Sequence, residues 1–200
     1  MWKLRKVTNK IFCSNTYVIH HLQDAYMIDV GDIEPIMNTA LDIKGVFITH
    51  GHHDHLYGIN DLIQKFPSCT IYTSRTGVDA LRSGKRNFST YSKEGTIEYQ
   101  GGNIKVLKTG DCIELFPNCF IKTYETPGHD DNCLTYMLDG YLFTGDSYIP
   151  GTKVVTKLPR GNKEQALQSL ELIRSLCNKD TIICPGHGDT VPAMDMNITV

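Results

Sequence analysis

The chain has 200 residues and a formal net charge of −2, with an isoelectric point near 6.4. That length gives one domain, or at most two, with a substantial core, and the slightly acidic balance argues against electrostatic binding of nucleic acid. No apolar run approaches the roughly 20 residues that span a bilayer, and seven cysteines without a C-x-x-C pair point to a reduced, cytoplasmic protein.

The basic start, residues 1–10, runs into Ile11-Phe12-Cys13-Ser14-Asn15-Thr16, too polar and short for a signal-peptide core. Residues 17–19 and 25–30 are expected to form a strand pair, punctuated by Ser14-Asn15 and by residues 21–24. Residues 35–41 read as a short helix opened by Pro35. Residues 45–49 are apolar and partly β-branched, the pattern of a strand buried on both faces. They lead into Thr49-His50-Gly51-His52-His53-Asp54-His55, which holds four of the chain's eight histidines. Gly51 lets the backbone turn there. Leu56, Ile59, Leu62, Ile63 and Phe66 then follow a helical spacing. The cluster therefore sits at the carboxyl end of a strand, where open α/β sheets bind ligands.

Residues 69–72 read as a strand and 74–81 as a helix capped by Ser74. Residues 82–102 have no clear period, so they are either a lid or a plain surface loop. The second half is expected to begin with strands at 104–107, 119–125, 133–138 and 141–143, separated by turn-formers such as Gly110-Asp111 and Asp139-Gly140. Residues 163–176 place Ala166, Leu167, Leu170, Ile173 and Leu176 on one helical face. Residues 181–184 are a last buried strand. Each half reads as strands, then helix and strand. The expected architecture is α/β: two sheets face to face with helices outside, as a single domain over 1–200 without a linker or repeat.

Crowded imidazoles compete for hydrogen bonds and repel when protonated, so a cluster this dense points to a cation that takes ring nitrogens as ligands. Three more ligand-type residues follow strand-like runs, each directly after a glycine: His129 in Pro127-Gly128-His129-Asp130-Asp131, Asp146 in Gly145-Asp146-Ser147 and His187 in Pro185-Gly186-His187-Gly188. Glycine there permits close backbone approach. His20, His21 and His53 stay outside these positions. His20-His21 reads as a strand end, and His53 as facing solvent or standing behind the ligands. Cys69 and Cys184 border apolar runs and read as buried thiols, and Cys133 as a small core residue. Lys85-Arg86 reads as a solvated pair, although a lid over an anion would use such residues.

Together these motifs resemble the metallo-β-lactamase fold superfamily, in particular its glyoxalase II-like hydrolase branch, from Tyr17 to about Pro192. The resemblance implies a four-layered αβ/βα sandwich of two mixed sheets with outer helices. It also implies two metal ions, with zinc expected and iron or manganese as alternatives. His50, His52 and His129 would hold the first. Asp54, His55 and His187 would hold the second. Asp146 would bridge the two, with a water or hydroxide between them, and Asp54 and Asp146 would be the catalytic carboxylates. Two divalent ions less two carboxylates and a hydroxide leave about one net positive charge, which favours an anionic or polarised carbonyl substrate. Tyr148 reads equally as a hydrogen-bond donor to an oxyanion or as packing.

Many glyoxalase II-like relatives read roughly G-D-T-L-F-x-G-S-x-G-R-T-D-L-P-G-G-D after the bridging aspartate. Here residues 145–162 align without a gap, but the family's G-R pair falls on Val154-Val155. Valine cannot hold a glutathione-type substrate, which leaves Lys153, Lys157 or Arg160 to substitute. The chain also ends soon after Pro-Gly-His-Gly, where glyoxalase II proper has a helical domain, so hydroxyacylglutathione hydrolysis is demoted. The secreted β-lactamase reading lacks an export signal. Nucleases of the superfamily carry an inserted domain or an RNA-binding arm. Diiron oxygen reductases place a Glu where this chain has His52. The expectation is a metal-dependent hydrolase that uses metal-bound hydroxide on a small ester, thioester or lactone, with no nucleic-acid or membrane partner. The alternatives are a mononuclear iron dioxygenase acting on a thiol or persulfide, with iron held by His50, His129 and Asp146, and a metal-binding sensor without turnover.

Overall fold

The computed structural model describes residues 1–195 and divides into two compact units, Met1–Val106 and Leu107–Val200. The first unit contains β1 (Lys3–Thr8), β2 (Asn15–His21), β3 (Asp24–Ile28), α1 (Glu34–Met37), β4 (Asp42–Phe47), α2 (Ile59–Lys65), β5 (Thr70–Thr73), α3 (Arg75–Leu81) and β6 (Ile104–Val106). Its six strands lie in sequence order, β1-β2-β3-β4-β5-β6. β1, β2 and β3 pair antiparallel through tight connections, whereas β3 to β6 pair parallel. Parallel neighbours need crossovers, and those between β3, β4 and β5 contain α1 and α2. The interior draws on both kinds of element: Val18, Met27, Ile43 and Val46 pack with Ile59 and Leu62, none more than 1% exposed. Burying each such side chain contributes roughly 1.5–3 kcal/mol relative to leaving it in water.

The helix expected over 35–41 is a single turn, because the Asn38 amide donates to Glu34 O and the Thr39 hydroxyl to Ile36 O, which closes the chain off. The helix expected from Leu56 starts at Ile59, since Leu56 caps a 3-10 turn at His53–His55. α3 is capped as expected, Ser74 accepting from Gly77 N. The stretch 82–102 is pinned from inside rather than lying loose. Asn87, fully buried, donates to Ala80 O and Ile97 O and accepts from Ser89 N. Ile97 and Tyr99 join the core. β6 does not open the second half; it pairs parallel with β5 in the first sheet.

The second unit contains β7 (Cys112–Phe116), β8 (Cys119–Glu125), β9 (Leu134–Leu138), β10 (Tyr141–Gly145), α4 (Lys163–Leu176), β11 (Ile182–Pro185) and β12 (Val191–Pro192). The order is β12-β11-β10-β9-β8-β7, and among these pairs only β10–β11 is parallel. α4 spans the predicted residues and is the crossover between that pair. The Asn162 side chain caps it by accepting from Gln165 N at 3.0 Å. Its apolar stripe, including Leu170 and Ile173, packs with Leu142 and Ile183. Each unit is thus one mixed six-stranded sheet with helices. All seven cysteines are free thiols, and no described helix is long and apolar enough to cross a membrane.

Candidate metal centre

In the first unit the ligand-type residues follow the end of β4. His52 is extended and caps the 3-10 turn His53–His55, and this bend packs the imidazoles together. The ring centroids of His50 and His52 are 4.5 Å apart, those of His50 and His55 4.3 Å. All four of His50, His52, Asp54 and His55 are buried. Asp54 Oδ2 is 3.3 Å from His55 Nε2.

Asp29, which sequence reasoning did not single out, sets the protons of this group. It lies just past β3 with φ 56°, a left-handed conformation that Asp tolerates. Its Oδ1 accepts from Thr49 N at 2.7 Å, and its Oδ2 accepts from the Thr49 hydroxyl at 2.7 Å and from His55 Nδ1–H at 2.8 Å. Burial pushes the Asp29 carboxyl up, and His55 and Thr49 oppose that shift. Thr49 has given its one proton to Asp29, so the 3.2 Å contact from His50 Nδ1 makes that nitrogen the donor. Both His50 and His55 therefore keep a lone pair on Nε2. The signal available in the sequence was a carboxylate closing an apolar strand, too common to stand out.

The second unit repeats the logic. His129 Nδ1–H donates to Val155 O at 2.8 Å, which leaves Nε2 as the lone-pair nitrogen. One carboxylate oxygen, Asp146 Oδ2, stands 3.6 Å from His129 Nε2 and 3.5 Å from His187 Nε2. Two ligand atoms on a tetrahedral ion at 2.0–2.1 Å lie about 3.3 Å apart. These separations, and that between Asp54 and His55, are close to that spacing. An orienting partner on Nδ1, which turns the Nε2 lone pair toward the metal, is the usual support of a metal-bound imidazole. Imidazoles and carboxylates, the donor types found in each unit, suit zinc, iron or manganese.

Gly128, before His129, has φ 138°, and a Cβ there would meet Ala166 N of α4 at 2.3 Å. The close approach expected of that glycine is real. His53 packs edge-on against Phe12, with ring centroids 5.6 Å apart, and burial lowers its pKa. Lys153 lines a shallow cleft with His129, Asp146, Thr152, Val154 and Val155. Tyr148 lies among Leu142, Leu170 and Ile183 at 2% exposure, and its hydroxyl has no hydrogen-bond partner among the described residues. Arg160 is not free to replace the family's basic residue, because its guanidinium is engaged with Asp130: Nη2 is 2.8 Å from Oδ2.

The fold resembles that of several solved structures. The BLEG-1 B3 metallo-β-lactamase superposes with a TM-score of 0.87 at 22% identity, over 98% of each chain. TTHA1623, solved in a di-iron-bound form, gives 0.79 at 20% identity over 94% of each chain. ETHE1 from Myxococcus xanthus gives 0.74 at 21%, over 96% of this chain and 80% of that one. At these identities the likeness concerns the fold. The sequence model of the metallo-β-lactamase superfamily matches residues 13–187, through both histidine-bearing units, and the chain belongs to that superfamily.

Proposed function

We propose that the protein is a metal-dependent hydrolase of small ester, thioester or lactone substrates, working with two divalent ions, zinc by preference. One ion would be held by His50, His52 and His129, the other by Asp54, His55 and His187, with Asp146 shared. The observation that carries the reading is Asp146 Oδ2, set at nearly equal distances from two imidazole nitrogens, as a bridging oxygen would be. When bound, such ions lower the pKa of water to about 7 and polarise a carbonyl oxygen.

The chain's own residues do the rest. Asp29 and the Val155 carbonyl hold His55 and His129 by their Nδ1 protons, so that Nε2 is the nitrogen each ring offers as a ligand. Val154 and Val155 present an apolar wall, and Lys153 a cation, along the cleft beside Asp146. That lining suits a compact acyl group with a polarised carbonyl better than a long peptide-like thiol.

Metal analysis combined with a panel of thioester, lactone and phosphodiester substrates tests the reading. The expected result is up to two metal equivalents and turnover of an acyl substrate, both lost in Asp146→Ala. Full hydrolysis by metal-free Asp146→Ala refutes it. Stoichiometric iron with thiol-dependent oxygen uptake would replace it with a dioxygenase.

A further inference from the structure

We propose that Arg160 and Asp130 form a brace that positions His129 for its metal, resting on the two-metal reading above. Arg160 occupies a position where the glyoxalase II-like pattern has glycine, so the brace is a feature of this chain's own sequence. Asp130 directly follows His129 and is fully buried. The Arg160 Nε donates to both of its oxygens at 3.1 Å, Nη2 lies 2.8 Å from Oδ2, and the Asn132 amide donates to Oδ1. A planar guanidinium that grips a carboxylate at several points fixes orientation as well as charge.

The pair does not stand alone. The segment that carries Arg160 also supplies the Val155 carbonyl that takes the His129 Nδ1 proton at 2.8 Å. Asn162 N donates to Gly128 O at 2.8 Å, one residue before His129. Gly128 N in turn donates to Asp130 O at 3.2 Å, which curls the ligand loop on itself. The ligand loop is thus tied to residues 155–162 on both sides of His129 and through its ring. Buried ion pairs are poor stabilisers compared with apolar packing. The placement of this one, next to a ligand and across from the carbonyl that orients it, points to geometry as its role. The same segment forms the cleft wall through Val154 and Val155. What presses on that wall is therefore coupled to the ligand.

The test is chelator-competition titration of zinc, together with Co²⁺ absorption spectra and melting temperatures of the metal-free protein. The proteins compared are wild type, Arg160→Gln, Arg160→Lys and the double variant Asp130→Asn with Arg160→Gln. Arg160→Gln is expected to weaken one metal equivalent by about 10–100-fold, the usual effect of losing an orienting partner, and to shift the Co²⁺ bands. Arg160→Lys, a point charge without the fork, recovers only part of the affinity. The double variant leaves no unpaired buried charge, so its metal-free melting temperature returns toward wild type while its affinity stays low. It therefore carries the test even if Arg160→Gln does not fold. Wild-type affinity and an unchanged Co²⁺ spectrum in the double variant would overturn the brace and make the pair a matter of fold stability. Two tight equivalents in wild type and in every variant sink the brace alone; no metal uptake by wild type sinks the two-metal reading with it.

Discussion

Replacing Asp29 by Asn separates fold stability from metal affinity. The left-handed backbone at φ 56° suits Asn as well as Asp, so no strain is added. Asn Oδ1 can keep the bond from Thr49 N, and Nδ2 then stands where Oδ2 accepted from Thr49 and His55. The Thr49 hydroxyl rotates to accept. His55 must move its proton from Nδ1 to Nε2 to accept as well. In the metal-free protein these exchanges nearly cancel, because burial already works against the Asp29 carboxylate. The expected change in unfolding free energy is about 1 kcal/mol, the worth of one ordinary hydrogen bond. Metal binding fares differently, because the proton now sits on the nitrogen that must act as ligand. A loss of about 10–100-fold in affinity is expected, or about 1.4–2.7 kcal/mol. Asp29→Ala should instead orphan the Thr49 amide and the His55 ring N–H and cost roughly 2–6 kcal/mol of stability. Urea unfolding of metal-free protein and chelator competition read the two quantities separately. Wild-type metal affinity in Asp29→Asn would refute the tautomer argument.

Two further outcomes follow from the packing. Gly128→Ala puts a Cβ 2.3 Å from Ala166 N at a φ of 138°, and thermal unfolding should show a loss of at least about 2 kcal/mol from strain alone; an unchanged melting temperature would mean that the loop and α4 are not so close. Asn87→Ala removes the acceptor of Ser89 N and the donor to Ala80 O and Ile97 O. It should cost roughly 1–3 kcal/mol and speed hydrogen exchange across residues 84–97, whereas unaltered exchange there would show the stretch to be a loose surface loop.

The strand expected at 45–49, which is β4 at Asp42–Phe47, the histidine loop after it and helix 163–176 are readable because their patterns are local. Apolar residues at the helical period, or in a short β-branched run, leave few structures open to them. β1 escaped notice because Val7 is its one buried residue and it includes Lys3, Arg5 and Lys6. Charged residues suit an edge strand, but they carry no apolar signal. β7 was missed for a similar reason, with Cys112 and Glu114 exposed. β6 was recognised as a strand but assigned to the wrong half, since partner choice in a parallel sheet is made across a crossover and leaves no mark in three residues. In residues 82–102, a single buried Asn87 organises what periodicity reads as noise.

The sequence by itself nominated the candidate metal ligands, because donor chemistry belongs to each side chain and the strand-end setting of each is a local pattern. It also pointed to the family, through the histidine cluster and the His129, Asp146 and His187 loops in order. Tertiary structure alone decided which nitrogen of each histidine carries the proton, since Asp29 reaches His55 across 26 residues and Val155 reaches His129 across the same number. It alone decided that Arg160 is held by Asp130, 30 residues away, rather than offered to a substrate. Hydrogen bonds that long in sequence exist only once each unit has folded, because only burial makes an unsatisfied donor or carboxylate costly enough to choose its partner.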